Sequence, residues 1–502
     1  MLGAERPART GEGALRRATN GLGGVAFVAA LGVAAGFARW PEGSAPAEES
    51  LLGRLRPPKG ASLTRFATDL PNVRFLRFTP TGDLLATQPR DGRVVLLSAD
   101  RDGDGRSDGR REVLAGLDRP HGLDLRDGWL YVAETGAVGR TRFDPATGQA
   151  SGTFERVVTG LPPGGNHWTR TLRFGPDGWM YVSIGSSCNV CVEKDERRAT
   201  IMRYRPDGSG GEVFATGLRN AVGFDWRPAD GQLYATDNGR DLLGDDFPPC
   251  ELDRVEKGGF YGWPVANGDR VPDPDLGKGQ EARIAASIPP VHGFRAHNAP
   301  LGITFLRGEA LPAEYRGAAV VALHGSWNRT RKDGYKVVSL HWGEGSGIEE
   351  RDFLTGFLGP TDDDVIGRPV DVAEGPDGAV YVSDDYAGSI YRVAWTGPAR
   401  AAAGPPSGQG REGSEARPAS VSDTAAIARG RAIWDANGCA ACHDPKRAAK
   451  GVVVKPLASL GRRYDPKSLA GYLKAPQPPM PAFDLDETQR ADLARFLLAE
   501  HP

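Results

Sequence analysis

Gly175-Pro176-Asp177-Gly178-Trp179-Met180-Tyr181-Val182-Ser183 reads as a tight turn running into a β-strand. Proline and aspartate start such a turn, and glycine supplies the positive φ that completes it. The same unit returns as Gly375-Pro376-Asp377-Gly378-Ala379-Val380-Tyr381-Val382-Ser383. Looser copies are Thr79-Pro80-Thr81-Gly82 before Asp83–Thr87, Asp127-Gly128 before Trp129–Ala133, and Asp230-Gly231 before Gln232–Thr236. Gly317 to Leu323 reads as a fifth inner strand after a variant turn. Six copies between residues 60 and 395 predict a mainly β fold, a six-bladed β-propeller around a channel. A β-sandwich would give shorter and less self-similar units.

The chain has 502 residues, enough for more than one domain and a large core. Its 62 basic and 64 acidic residues nearly cancel, leaving −2, which argues against a nucleic-acid partner. The 68 glycines and 39 prolines suit many turns and short strands. Residues 1–45 read as a signal peptide or an N-terminal membrane anchor. Arg6, Arg9, Arg16 and Arg17 precede an uncharged apolar run from Gly21 to Ala38. The expected location is therefore periplasmic, with or without an inner-membrane anchor. Residues 396–422 hold Pro, Gly, Ala, Ser, Arg and Glu with no apolar face, and read as a flexible linker.

Residues 423–502 carry Cys439-Ala440-Ala441-Cys442-His443, the attachment signature of a c-type haem. Cys439 and Cys442 would bond the porphyrin, with His443 as proximal iron ligand. Met480, on the proline-stiffened Gln477-Pro478-Pro479-Met480-Pro481, is the expected distal ligand. Asp423–Ala436 and Asp486–Glu500 read as flanking helices. Ile427 and Trp434 share a face of the first; Leu493, Phe496 and Leu497 share one of the second. From these residues the segment resembles a small all-α class I cytochrome c domain.

The propeller carries its own motifs. Gly164-Gly165-Asn166-His167-Trp168-Thr169-Arg170 and Thr216-Gly217-Leu218-Arg219-Asn220 each lie on a loop just before a strand. With them stand Asp237-Asn238-Gly239-Arg240-Asp241, Lys257-Gly258-Gly259-Phe260-Tyr261-Gly262-Trp263-Pro264, His324-Gly325-Ser326-Trp327-Asn328-Arg329 and Gly367-Arg368-Pro369-Val370-Asp371. Together, in this order, they are similar to the PQQ-dependent glucose/sorbosone dehydrogenase family, above all its sorbosone-dehydrogenase-like branch. The resemblance implies pyrroloquinoline quinone (PQQ), a tricarboxylate that needs cations and donors. It puts Arg219, Asn220 and Arg368 on PQQ contacts, and Arg329 in place of a lysine. It puts His167 on the catalytic base, and Ca²⁺ on the backbone carbonyls of Gly239 and Arg240.

The sequence also departs from that family. Ser186 stands where soluble glucose dehydrogenases have an acidic residue, and Pro120-His121 where a glutamine contacts sugar. Cys250 occupies a position where an acidic residue could join the metal neighbourhood. The expected function is an exported quinohaemoprotein that oxidises a sugar, sugar aldehyde or related alcohol. Electrons would pass to haem c, then to a partner cytochrome or terminal oxidase. A sugar-lactonase-like hydrolase propeller, or a non-catalytic docking propeller, would have no use for the anion-binding arginines. Cys188 and Cys191 read as a disulfide in an oxidising compartment. Asp100, Asp102, Asp104 and Asp108 have the spacing of a calcium loop, although Arg111 replaces the closing glutamate. They would hold a second calcium or form a solvated acidic turn.

Overall fold

The computed structural model describes residues 51–395 except 344, 346, 362 and 363. Beyond them it describes 422–437, 439, 443, 457, 460, 464, 466–474 and 485–501. The chain divides into two compact units near residue 400. The expected leader, Cys442, Met480 and all of the expected linker at 396–422 but Ser422, which begins a helix, lie outside the described residues.

Six four-stranded antiparallel sheets build the first unit. The first strand of each is innermost: Leu76–Phe78, Leu123–Arg126, Leu172–Phe174, Ala221–Trp226, Pro300–Phe305 and Pro369–Glu374 meet around the axis. This is a six-bladed propeller. One expectation needs correction. Ala319–Leu323 is the second strand of its blade, paired to the inner strand Pro300–Phe305. The copies seen in the sequence mark the turn between first and second strands, so each flags the second strand.

Aspartate earns its place in that turn twice. Asp177 Oδ1 accepts the Trp179 N–H, and its Oδ2 accepts the Tyr181 hydroxyl at 2.8 Å. Asp377 does the same for Ala379 and Tyr381, and Asp230 for Gln232 and Tyr234. Other aspartates stitch blades together. Asp124, Asp225 and Asp371 on inner strands accept the N–H of Phe174, Phe305 and Leu76 on the next blade. Hydrogen bonds to charged groups contribute about 1.5–3 kcal/mol each. Between blades lie buried apolar side chains such as Leu84, Val132, Met180, Phe224, Val321 and Val382.

The last blade is completed by the front of the chain. Ala61–Ala67 pairs with Ser389–Trp395, from Ala61 opposite Trp395 to Ala67 opposite Ile390. The packed body begins before residue 60: Leu51 and Leu55 join the core between the last two blades, and Arg54 forks onto Asp364.

The second unit contains the helices Ser422–Ala436, Pro466–Lys474 and Glu487–Glu500. Leu469, Leu473, Leu493, Phe496 and Leu497 form its core, with Ile427 and Trp434 packed against them. A capping box of Asp486 and Gln489 starts the last helix. Among the described residues, no helix is long and apolar enough to cross a membrane.

Candidate cofactor and active site

Strands alternate in direction. The loops leading into inner strands and those joining second to third strands therefore open on one face. His167, Arg219, Asn220 and Arg368 lie on loops of the first kind, and Gly239, Arg240 and Arg329 on loops of the second. The fold brings these residues to one end of the channel. Asp100–Asp108 joins the third and fourth strands of its blade and lies on the opposite face.

The loop bearing His167 is clamped by two buried cations. Arg170 donates to the carbonyls of His167 and Pro162, and Arg198 to those of His167, Gly185 and Gly164. His167 Nδ1 lies 2.9 Å from the Ser186 carbonyl and 3.0 Å from its hydroxyl. A carbonyl only accepts, so Nδ1 carries the proton and Nε2 keeps the lone pair. Burial, then Arg219 and Arg198, push the imidazole down to about 3, so it is neutral at neutral pH. Gly185 lets His167 close on Asn220. A Cβ there would stand 2.5 Å from Asn220 Oδ1 and 2.7 Å from the His167 Cβ.

Arg219 is 5% exposed and every one of its five N–H groups is bonded within the chain. The acceptors are the Asn189 carbonyl and side chain, the carbonyls of Asn238 and Gly239, and Asp241. Asp237 holds the turn beneath by accepting the N–H of Arg219 and of Asn220. The Gly239 carbonyl thus already serves Arg219, and the Arg240 side chain turns to Asp273 and Asp275. Arg329 donates to Ala296 and Asp245 carbonyls and pairs with Asp246. Arg368 reaches the His324 carbonyl at 3.4 Å. Cys188 and Cys191 are disulfide-bonded. Cys250 is a buried free thiol whose pKa burial raises.

Sequence reasoning missed a second group. His324 Nε2 lies 3.0 Å from Asp385, and Arg74 binds the same carboxylate at 2.6 Å. His121 is wholly buried between Phe75 and Trp168, and Arg74 and Arg119 lie over the Trp168 ring. A signal for two of these residues, Arg74 and His121, existed. Arg74, His121, Arg170, Arg219 and Asn298 each stand two residues before an inner strand.

Arginines crowd this face, several of them beside carboxylates. Besides His167, two buried histidines are held neutral: His121 by burial, Arg74 and Arg170, and His324, down to about 4, by burial, Arg368 and Arg74. The Nε atoms of Arg74 and Arg170 are buried without a hydrogen-bond partner. Such a surplus of donors fits a polyanionic guest such as PQQ. In the second unit, Cys439 is buried and its carbonyl accepts the His443 N–H at 3.2 Å. Trp434 lies 6.0 Å from the His443 ring. That placement suits a haem with a histidine ligand.

The fold and this face define a propeller like that of PQQ-dependent sugar dehydrogenases, followed by a cytochrome c domain. The chain belongs to the TrAA12-like family, which it matches over residues 56–247 and 273–396. Residues 425–497 match the family of cytochrome c oxidase, cbb3-type, subunit III. An uncharacterized protein of Borreliella burgdorferi is 31% identical over 290 residues, covering 55% of this chain and 76% of that protein. A pyrroloquinoline quinone-dependent pyranose dehydrogenase of Coprinopsis cinerea is 27% identical over 268 residues. That match spans 43% of this chain but only 36% of the dehydrogenase. The calcium structure of the Trichoderma reesei family AA12 enzyme shares the fold. Its TM-score is 0.60 at 23% identity, over 70% of this chain and 98% of that one.

Proposed function

We propose that the protein is an exported quinohaemoprotein dehydrogenase. It oxidises a sugar, sugar aldehyde or related alcohol, of the sorbosone type, with PQQ, and passes the electrons to its own haem c. The observation that carries this reading is His167, a neutral imidazole with Nδ1 fixed on Ser186 and Nε2 free to accept a proton, among buried arginines.

PQQ, when bound, supplies a two-electron acceptor. The chain supplies the rest. His167 Nε2 takes the proton of the substrate hydroxyl as hydride leaves the adjacent carbon. Arg368, Arg329, Arg219 and Asn220 bind and orient the cofactor, and Arg74 adds charge to the same face. Arg219 is the most constrained of these, since it meets a cofactor only by yielding one of its present bonds. Ca²⁺ would be held by the carbonyls of Gly239 and Arg240. A carbonyl has two lone pairs, so Gly239 retains one beside Arg219. Asp100, Asp102, Asp104 and Asp108 would hold a second calcium, remote from the chemistry. Cys439 and Cys442 would carry the haem, and His443 and Met480 would hold its iron. Electrons then leave singly to a partner cytochrome or terminal oxidase. Residues 1–45 would export the protein to the periplasm, as a cleaved signal or an inner-membrane anchor.

The test is reconstitution. Haem-loaded protein is given PQQ and Ca²⁺, then a panel of sugars and aldehydes, while the haem α-band is followed. Reduction that needs PQQ and is lost in His167→Ala supports the reading. Haem that stays oxidised, with no PQQ bound by calorimetry, overturns it in favour of a lactonase-like or docking propeller.

A further inference from the structure

The segment from Gly185 to Glu193 has no regular secondary structure, yet it touches both halves of the site. Ser186 holds the His167 ring through its carbonyl and hydroxyl, while its own N–H donates to the Arg219 carbonyl at 2.8 Å. Three residues on, Asn189 sits inside the four-residue ring closed by Cys188–Cys191. Its carbonyl accepts from Arg219 Nε at 3.0 Å and from Trp263 Nε1 at 3.3 Å. Its side-chain oxygen accepts from Arg219 Nη2 at 3.0 Å and from the Asp241 N–H at 2.8 Å. Its side-chain nitrogen donates to the Asp241 carbonyl at 3.0 Å. Ser187 anchors the other side of the ring, giving its N–H and hydroxyl to Glu193.

We propose that Asn189 is the positioning residue for Arg219 and Asp241, and that the Cys188–Cys191 bond, by fixing the Asn189 backbone, sets how tightly the site holds its anionic cofactor. This rests on the reading of Arg219 as part of a PQQ site. A guanidinium is useful to a planar tricarboxylate only when its fork is held in one orientation. Asn189 meets two of the five Arg219 N–H groups and both backbone groups of Asp241, whose carboxylate takes a third. An acceptor on a free loop would pay the ordering entropy at each binding event, whereas a closed ring has paid it already. Both cysteines are partly exposed. A dithiol can therefore reach the bond: two electrons and two protons pass to the cysteines, leaving two thiols and the reductant as its own disulfide. The site would then keep all its residues and lose affinity.

PQQ binding to the haem-loaded full chain with Ca²⁺ is measured by calorimetry, for wild type, Asn189→Ala, Asn189→Asp, Cys188→Ser/Cys191→Ser, and Val192→Ser as a control at an exposed neighbour. Asn189→Ala and the double serine variant are expected to bind PQQ at least tenfold more weakly. With PQQ saturating, their turnover should stay within about twofold of wild type. Asn189→Asp keeps the acceptor bonds to Arg219 and the Asp241 N–H but loses the donor to the Asp241 carbonyl, and should recover part of the affinity. Melting curves and the haem Soret band establish that each variant is folded. Wild type that binds no PQQ would sink the functional reading itself. Wild type that binds, with folded Asn189→Ala and double serine variants binding equally well, would sink this inference alone.

Discussion

Ser186 and His167 are joined twice, through the serine carbonyl at 2.9 Å and its hydroxyl at 3.0 Å, both on Nδ1 of the imidazole. A carboxylate at this position would hold the ring by charge and raise its proton affinity. Ser186 orients the ring without charge, and the small rise its carbonyl gives is outweighed by burial and Arg219. The ring is thus aligned by neutral acceptors, with Arg219, Arg198 and Asp241 as the charges around it.

His167→Gln should lower the turnover number by roughly 100- to 10,000-fold, the usual worth of a general base. PQQ affinity should change by only a few-fold, which calorimetry on the same preparation checks.

The pH profile should reflect the same surroundings. On the proposed reading neutral His167 is the active form, and its value is pushed from 6.5 to about 3. The acid limb of kcat/KM should therefore lie well below 6.5. Between 6.5 and about 3 the unfolded chain binds a proton at this side chain that the native one does not. Stability thus falls as pH drops through that window and levels off above it. Thermal melts of wild type and His167→Gln should converge at neutral pH and separate in acid, with the variant less sensitive.

Gly185→Ala should be disproportionately harmful for one methyl group. The added carbon meets both Asn220 and His167 at 2.5–2.7 Å. The expected result is loss of both PQQ binding and turnover, with a destabilisation of about 1–3 kcal/mol from overpacking, read from denaturant melts.

The loop at Asp100–Asp108 presses on the closing strand. Thr64 Oγ1 donates to the Gly105 carbonyl at 3.0 Å, and the Ser107 N–H to the Phe66 carbonyl at 2.8 Å. Asp100, Asp102 and Asp108 present oxygens within 4.8 Å of one another. Calcium at a hundred times its dissociation constant would add about 2.7 kcal/mol. The melting temperature should rise with calcium in wild type and not in Asp100→Asn/Asp102→Asn. Turnover with calcium present should be equal in both.

Met480→Ala should lower the haem midpoint potential, since a thioether ligand raises it. A spectroelectrochemical titration of the haem checks this.

What could be read from the sequence follows from what repeats. The glycine turns announce six blades because each must solve the same local problem, and in three of them an aspartate caps the turn and binds a tyrosine. The strand Ala61–Ala67 carries no such turn, and its partner lies at the far end of the propeller sequence, so its role as closure was not legible. Motif residues such as His167, Arg219 and Arg368 could be named because they sit in recognisable runs. Arg74, Asp385 and His324 act together only once the first, fifth and last blades meet, and no local pattern records that meeting. Asn189 was visible only as filler between two cysteines. Its five hydrogen bonds reach partners from Arg219 to Trp263, distant in sequence.

The seam at Ala61 and Trp395 has a consequence for how such chains are assembled. A ring closed by its own two ends returns the polypeptide to the place where it came in. Ala61 and Trp395 stand opposite each other, so the first and last strands of the propeller share one pairing. Removing either Ala61–Ala67 or Ser389–Trp395 would leave the last blade without its pairing. In this architecture neither end of the propeller can be trimmed past that seam without opening the ring.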